Sequence, residues 1–476
     1  MSKPIDILIV GFGAVGGLYG WILSQNSDVQ ITAIARSAYD EMKDGIRIES
    51  EKFGVIENWK PYRLVKDAEE ANDRSYKYII CATKCLPDLF PTASILAPFL
   101  ESPHSQSVDV EDGPTVVLMQ NGIGPEFPLA SAYPHVPIIT VSVWVGANLK
   151  KGGIITHGTM EKLVMGLYTG EGAETGSAAG IVEDAYADPH GYRSGDGPER
   201  LEEGERRTKA FADLITNGGG TVELPESIQA ARYAKNCWNA AWSAICAMSR
   251  CTVSEAVAPA VLPFTLPAAR RMMLEVIYVA RAWGYKENVL PLKIVDDTLS
   301  LTVRTYQAKP KGIPQTPFTP GEALTGEAYG FPTEGDTSED AIDRTVTFKP
   351  SMLLDVENGR PCELEPIIGA LLDRARARGV ATPRLDLAYS CLKIHQDLAV
   401  RRFAESEQYQ QHISSWLAKV PQVGGLGAAG RQAWERAQRR ATLPADHKGA
   451  VGMANGRDKI PGKPVVSARD ITGNAF

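Results

Sequence analysis

The sequence predicts an α/β protein: a first part built on a parallel sheet, a second part built of helices, two polar interruptions and a polar tail. Three observations predict it. A strand, a glycine turn, a helix and a strand open the chain. Apolar strand-like runs continue to about residue 168, and from about residue 226 the apolar spacing becomes helical. At 476 residues, the chain exceeds the roughly 250–300 at which one hydrophobic core stops growing, so at least two domains are expected.

The elements follow in order. IDILIVG (5–11) is an apolar run ending in glycine, LYGWILSQ has helical spacing, and VQITAIAR is rich in β-branched residues. Together they make a βαβ unit, which favours a parallel sheet. YKYIICAT (76–83), PTVVLMQN (114–121) and VPIITVSVWV (136–145) read as further strands, and GIITHGTM with EKLVMGLY as a strand pair closing the domain. Residues 170–205 turn to Gly, Ala, Asp, Glu and Ser and read as a surface insertion. Helical patterning resumes at TKAFADLITNGGG, and TVELPESIQ leads into a long helix carrying KNCWNAAWSAICAM. AARRMMLEVIYVARAWG, ELEPIIGALLDRARARG and LDLAYSCLKIHQDLAVRRF continue the helical half, two of them stopping at glycine. A polar stretch at 308–345 interrupts it, and the end of the chain reads as disordered. The expected units are residues 1–225, 226–405 and a C-terminal extension, 406–476.

Composition narrows the function classes. A hydrophobic content of 44% with 22% charged residues is that of a soluble globular protein, and a net charge of −7 argues against nucleic acid as partner. The seven cysteines form no CxxC pair and read as reduced thiols of a cytoplasmic protein. No apolar run reaches the roughly 18 residues of a membrane span, and MSKPIDILIVG leaves no room for a targeting peptide before the first strand. The histidines show no paired spacing, so no metal site is expected.

Gly11-Phe12-Gly13-Ala14-Val15-Gly16 is a GxGxxG turn between strand and helix. Its glycines serve a tight turn, close backbone approach to a pyrophosphate, and close packing of helix on strand. The helix N-terminus then offers free N–H groups to phosphates. The second strand ends in Ala35-Arg36-Ser37, where an NAD site usually has a carboxylate. A guanidinium and a hydroxyl would instead hold a 2′-phosphate, which favours NADP(H). Lys84 and Asn121 follow two other strands and fall on the same carboxyl edge.

In the long helix Lys235, Asn239 and Ser243 are spaced i, i+4, i+8 among apolar neighbours, which sets an ammonium, an amide and a hydroxyl near one face. A buried ammonium needs a partner or loses its proton. KPSMLLDVENGRPCELE (349–365) supplies Ser351, Asp355, Glu357 and Glu363, and a carboxylate from it is expected to pair with Lys235.

These stretches resemble the ketopantoate reductase (2-dehydropantoate 2-reductase) family: GFGAVG, the Lys84 strand end, QNGIG, the K-x-x-x-N helix, MMLEVIYVARAWG and KPSMLLDVENGRPCELEPIIG, spread over residues 5–400. The resemblance implies an N-terminal Rossmann domain and a helical C-terminal domain with NADPH and a 2-oxo acid between them. It implies Lys235 as general acid, Asn239, Ser351 and Asn121 on the substrate, and Lys84, Arg36 and Asn121 on the cofactor. Glu363, twelve residues after Ser351, is the acidic residue supporting the site. Ser243 stands where many members have a second asparagine, and no asparagine precedes Ser351 here.

NADPH-dependent reduction of a 2-oxo acid, of the ketopantoate-to-pantoate type in pantothenate biosynthesis, is the reading these residues favour. A related ketone or imine reductase of secondary metabolism, and a non-catalytic NADP-binding regulator, stand beside it. Apolar helices such as MMLEVIYVA suit a homodimer interface and a buried core equally.

Overall fold

A computed structural model describes residues 4–105, 113–171, 190, 192, 196–307, 309–310, 342–343 and 348–406. The expected tail beyond residue 406 and most of both polar insertions lie outside the described residues.

The apolar run Ile5–Val10 forms strand β1, pairing in parallel on one side with β2 (Val29–Ile34) and on the other with β6 (Tyr78–Cys81). The sheet also holds β3 (Ile46–Ser50), β4 (Gly54–Trp59), β5 (Arg63–Val65), β7 (Thr115–Leu118), β8 (Ile138–Lys150), β9 (Ile154–Leu167) and β10 (Val222–Glu223). Its order is β4-β3-β9-β8-β7-β6-β1-β2-β5, with β10 against β9. Seven of its pairings are parallel; only β3–β4 and β8–β9 are antiparallel.

Alternation explains why β1 is apolar throughout. Ile7 and Ile9 join one core with Leu18, Ile22 and Phe211, from helices Ala14–Ser24 and Gly197–Asn217. Leu8 and Val10 join a second core with Leu96 and Leu129, from helices Thr92–Leu100 and Phe127–Ala132. A strand covered on both faces has no polar side to show.

The helical half packs around residues 228–249. Ser227 caps this segment, its hydroxyl accepting the Ala230 N–H. Tyr233, Cys237, Ala240, Ala241, Trp242 and Ala244 are fully buried there, against Met273, Val276 and Ile277 of helix Leu262–Ala282. Two π-helical turns interrupt otherwise α-helical segments, Asn239–Ser243 and Glu365–Gly369. Such turns shift the faces of a helix and frequently mark functional sites.

The fold class is as expected, a parallel-rich sheet followed by a helical half. Two local expectations are corrected. The residues read as a closing strand pair form one fourteen-residue strand, β9, folded back on β8. The pairing register shifts between Val145 and Ala147, so Gly158 is absorbed without a turn. The expected first insertion also ends earlier, because a helix begins at Gly197. The first half of this helix has no apolar stripe, and charged pairs hold it instead: Arg207, 2% exposed, meets Glu203 at i−4 and the Gly113 carbonyl at 2.6 Å. Among the described residues no helix is long and apolar enough to cross a membrane, and all seven cysteines are free thiols.

Candidate active site

The glycine turn has the form its sequence requires. Gly11 has φ +100°, and a Cβ there would fall 2.7 Å from the Thr83 backbone nitrogen. One at Gly16 would fall 2.3 Å from the Gly11 carbonyl oxygen, so helix and turn meet only because residue 16 has no side chain. Around Gly13, by contrast, nothing lies within 4 Å of the missing Cβ. The turn is closed against the protein at two glycines and open at the third, as a pyrophosphate cradle must be. No side chain caps the helix that follows, and Ala14 and Val15 are partly exposed on its first turn.

Phe12 faces away: it is 4% exposed, lies 6.0 Å from the Trp59 ring and spends its N–H on the Ile34 carbonyl. Its part is to seat the turn. Arg36 is exposed just past the end of β2 and has no ion pair among the described residues. Lys84 reaches across to the helical half and pairs with Asp355, buried in helix Ser351–Glu357.

Lys235 projects into a narrow cleft lined by Gln120, Asn121, Gly122, Arg232, Asn236 and Asn239, with Ser142 at its side. Its ammonium donates to the Asn121 side-chain oxygen at 2.8 Å, while the Asn121 amide nitrogen donates to Glu363 at 2.9 Å. An ammonium can only donate and a carboxylate only accept, so these neighbours fix which way the Asn121 amide points. The other Glu363 oxygen accepts the Cys85 N–H at 2.9 Å, tying the helical half to the turn after β6. The expected direct pairing of a carboxylate with Lys235 is therefore corrected. Asp355 is held by Lys84 and Arg360, Glu357 by Lys349, and Glu363 acts on Lys235 through Asn121.

Burial pushes the Lys235 pKa down, the neighbouring Arg232 charge pushes it further, and Glu363 opposes both; it comes to about 7. An amine with that pKa exchanges its proton readily near neutrality.

Arg232 was not singled out in the sequence, although it stands three residues before Lys235 on the same helix. Its guanidinium donates to the Gln120 carbonyl at 2.9 Å and the Gly122 carbonyl at 2.7 Å, on either side of Asn121. It also donates to Thr140 and the Val141 carbonyl at 3.0 Å and pairs with Glu126, 0% exposed, at 3.1 Å. Gly122, with φ +87°, lets this loop press on the second π turn: a Cβ would fall 2.3 Å from the Pro366 carbonyl, which accepts the Ile123 N–H at 2.7 Å. Asn236 donates to the Ile367 carbonyl of the same turn at 2.9 Å.

The structure thus gathers Lys235, Asn121, Glu363 and Asn239. Ser243 is buried, 2% exposed, at the end of the first π turn and is not in the cleft lining. The i+8 spacing assumed a continuous α-helix, and the π turn breaks that assumption. Ser351 is exposed on the first turn of its helix, four residues before Asp355, and is also outside the cleft lining. No group of residues suited to a metal ion occurs among the described residues.

Comparison with known proteins agrees with this fold. A family profile described as ketopantoate reductase PanE/ApbA matches residues 7–170, and its C-terminal counterpart matches residues 227–396. An uncharacterised protein of Saccharomyces cerevisiae is 23% identical over 405 residues, covering 82% of this chain and 93% of its own. A 2-dehydropantoate 2-reductase of Nostoc sp. is 23% identical over 390 residues, covering 81% and 93%. The crystal structure of 2-dehydropantoate 2-reductase from Methylococcus capsulatus superposes with a TM-score of 0.56 at 23% identity, over 82% of this chain and 96% of that one. A ternary structure of D-mandelate dehydrogenase with NADH and anilino(oxo)acetate gives 0.55 at 18% identity, over 83% and 99%.

Proposed function

The chain belongs to the ketopantoate reductase family, and from that premise we propose that it reduces a 2-oxo acid with NADPH, using Lys235 as the general acid. The Lys235–Asn121–Glu363 chain carries this reading: it aims one ammonium into a cleft at the carboxyl edge of the sheet and leaves it a neutral partner. Relatives named 2-dehydropantoate 2-reductase, and a structural neighbour solved with NADH and a 2-oxo compound, support a 2-oxo acid as substrate class. The choice of NADPH rests on Arg36, a cation just past the end of β2 that suits a 2′-phosphate.

The turn from Gly11 to Gly16 would hold the cofactor, which would supply a hydride to the substrate's carbonyl carbon. Negative charge then grows on the carbonyl oxygen. Lys235 stabilises that charge and transfers its proton to it, a role typically contributing about 10²–10⁴-fold. Asn121 holds the ammonium in line and keeps it from turning toward solvent. Glu363 is a positioning residue: it fixes the Asn121 amide and, through its charge, favours the protonated amine. Asn239, one turn after Lys235, is assigned to the substrate carboxylate, and Ser351, outside the cleft lining, is assigned to the substrate on the family resemblance alone.

The test is the loss of reduced-nicotinamide absorbance with the purified full chain, NADPH and a panel containing ketopantoate, pyruvate and phenylglyoxylate. Turnover of at least one acid, with Arg36→Ala weakening NADPH about tenfold and leaving NADH unchanged, is expected. Bound NADPH without turnover of any 2-oxo acid would overturn the reading.

A further inference from the structure

The helical half holds a second hollow, of about 210 Å³, that shares no residue with the Lys235 cleft. Arg250, Arg360, Arg402 and His395 stand around it, all exposed, and no carboxylate lines it. Arg360 has Asp355 at 3.4 Å, but that carboxylate is already held by Lys84. The side chains of Arg250, Arg402 and His395 make no ion pair or hydrogen bond among the described residues. Three guanidinium groups around one hollow repel one another unless an anion joins them.

The backbone supports the same conclusion independently. Arg250 ends its helix with φ 58° and ψ 33°, a left-handed conformation in which glycine is usual and a side chain is costly. Backbone strain of this kind at an arginine points to a use for its side chain. Across the hollow, Gly359 has φ +63°, and a Cβ there would meet only the Arg402 Nη1, at 3.6 Å, so this edge of the hollow is left open. Val356 and Ala399, both buried, add apolar surface to the lining.

We propose that this hollow is a binding site for a phosphate monoester with a compact apolar body, independent of the reductase reading. The arginine fork matches phosphate geometry, and a phosphate monoester carries close to two negative charges at neutral pH, enough to join more than one guanidinium. Arg250 and Arg402 take the phosphate, Arg360 supports them, and the apolar body rests on Val356 and Ala399.

The test is calorimetric titration of the full chain, saturated with NADPH, with phenyl phosphate and separately with inorganic phosphate. Phenyl phosphate is expected to bind at least several-fold tighter than inorganic phosphate. The double variant R250A/R402A is expected to lose at least tenfold in that affinity while its circular dichroism and its NADPH affinity stay unchanged. No binding by the native chain, or equal binding by the double variant, would overturn the site. Displacement of phenyl phosphate by NADPH would also overturn it, because the arginines would then belong to the cofactor. Equal affinity for the two probes would overturn the part assigned to Val356 and Ala399.

Discussion

Two turns of one helix treat their buried cations in opposite ways. Arg232 is 3% exposed and has its guanidinium engaged by three backbone carbonyls, a threonine and the carboxylate of Glu126. Lys235, three residues on, faces the cleft with one neutral partner. A guanidinium stays charged under any ordinary condition and can serve as a fixed strut, whereas an amine in the same surroundings gives up its proton. The difference separates the residue that builds the cleft from the residue that reacts in it. They are also coupled, because the charge of Arg232 helps depress the pKa of Lys235.

Removing the reactive cation should have the largest effect. Lys235→Ala is expected to lower kcat by about 10²–10⁴ while NADPH affinity, measured by fluorescence titration, changes little. Equal losses in kcat and in NADPH affinity would make Lys235 a strut like Arg232.

Removing the strut should damage the fold. Arg232→Met leaves Glu126 buried without its counter-charge, a change that typically costs about 3–5 kcal/mol. Urea denaturation measures it, and Arg232→Met with Glu126→Gln should recover part of the loss. A single variant as stable as the native protein would break the contrast.

A smaller change separates position from charge. Glu363→Gln leaves an oxygen for the Cys85 N–H but removes the charge that favours protonated Lys235. The falling limb of the rate should move to lower pH, with about a tenfold loss above neutrality. An unmoved limb would mean that Glu363 only orients Asn121.

The smallest effect is on stability. The Lys235 pKa is lowered in the fold from 10.5 to about 7. Between those values the unfolded chain binds more protons than the native one, so this group's contribution to stability rises with pH. Lys235→Met removes that contribution, and any excess in its Tm over the native protein should shrink from pH 7 to pH 9. A gap independent of pH would contradict the depressed pKa.

The glycine turn and the strand ends at Lys84 and Asn121 were legible because each depends on neighbours in sequence. Lys235 was legible through its spacing to Asn239 and Glu363 only through the family resemblance, but the path between them was not. Asn121 comes from a strand end more than a hundred residues before Lys235, and no local pattern records that it stands between an ammonium and a carboxylate. Ser243 misled because periodicity assumes one helical pitch, and the π turn at Asn239–Ser243 changes it. Arg232 left a trace in sequence, a second cation on the buried side of the same helix. Its partners are mostly backbone carbonyls, which have no signature in side-chain chemistry.

The pH dependence of kcat, followed with saturating NADPH and the best 2-oxo acid of the panel, tests the central claim most directly. A rate that falls as pH rises through about 7, with the limb absent from the residual activity of Lys235→Ala, is the predicted result. A rate that stays level to pH 9, or a limb that survives in Lys235→Ala, would show that the proton comes from another group.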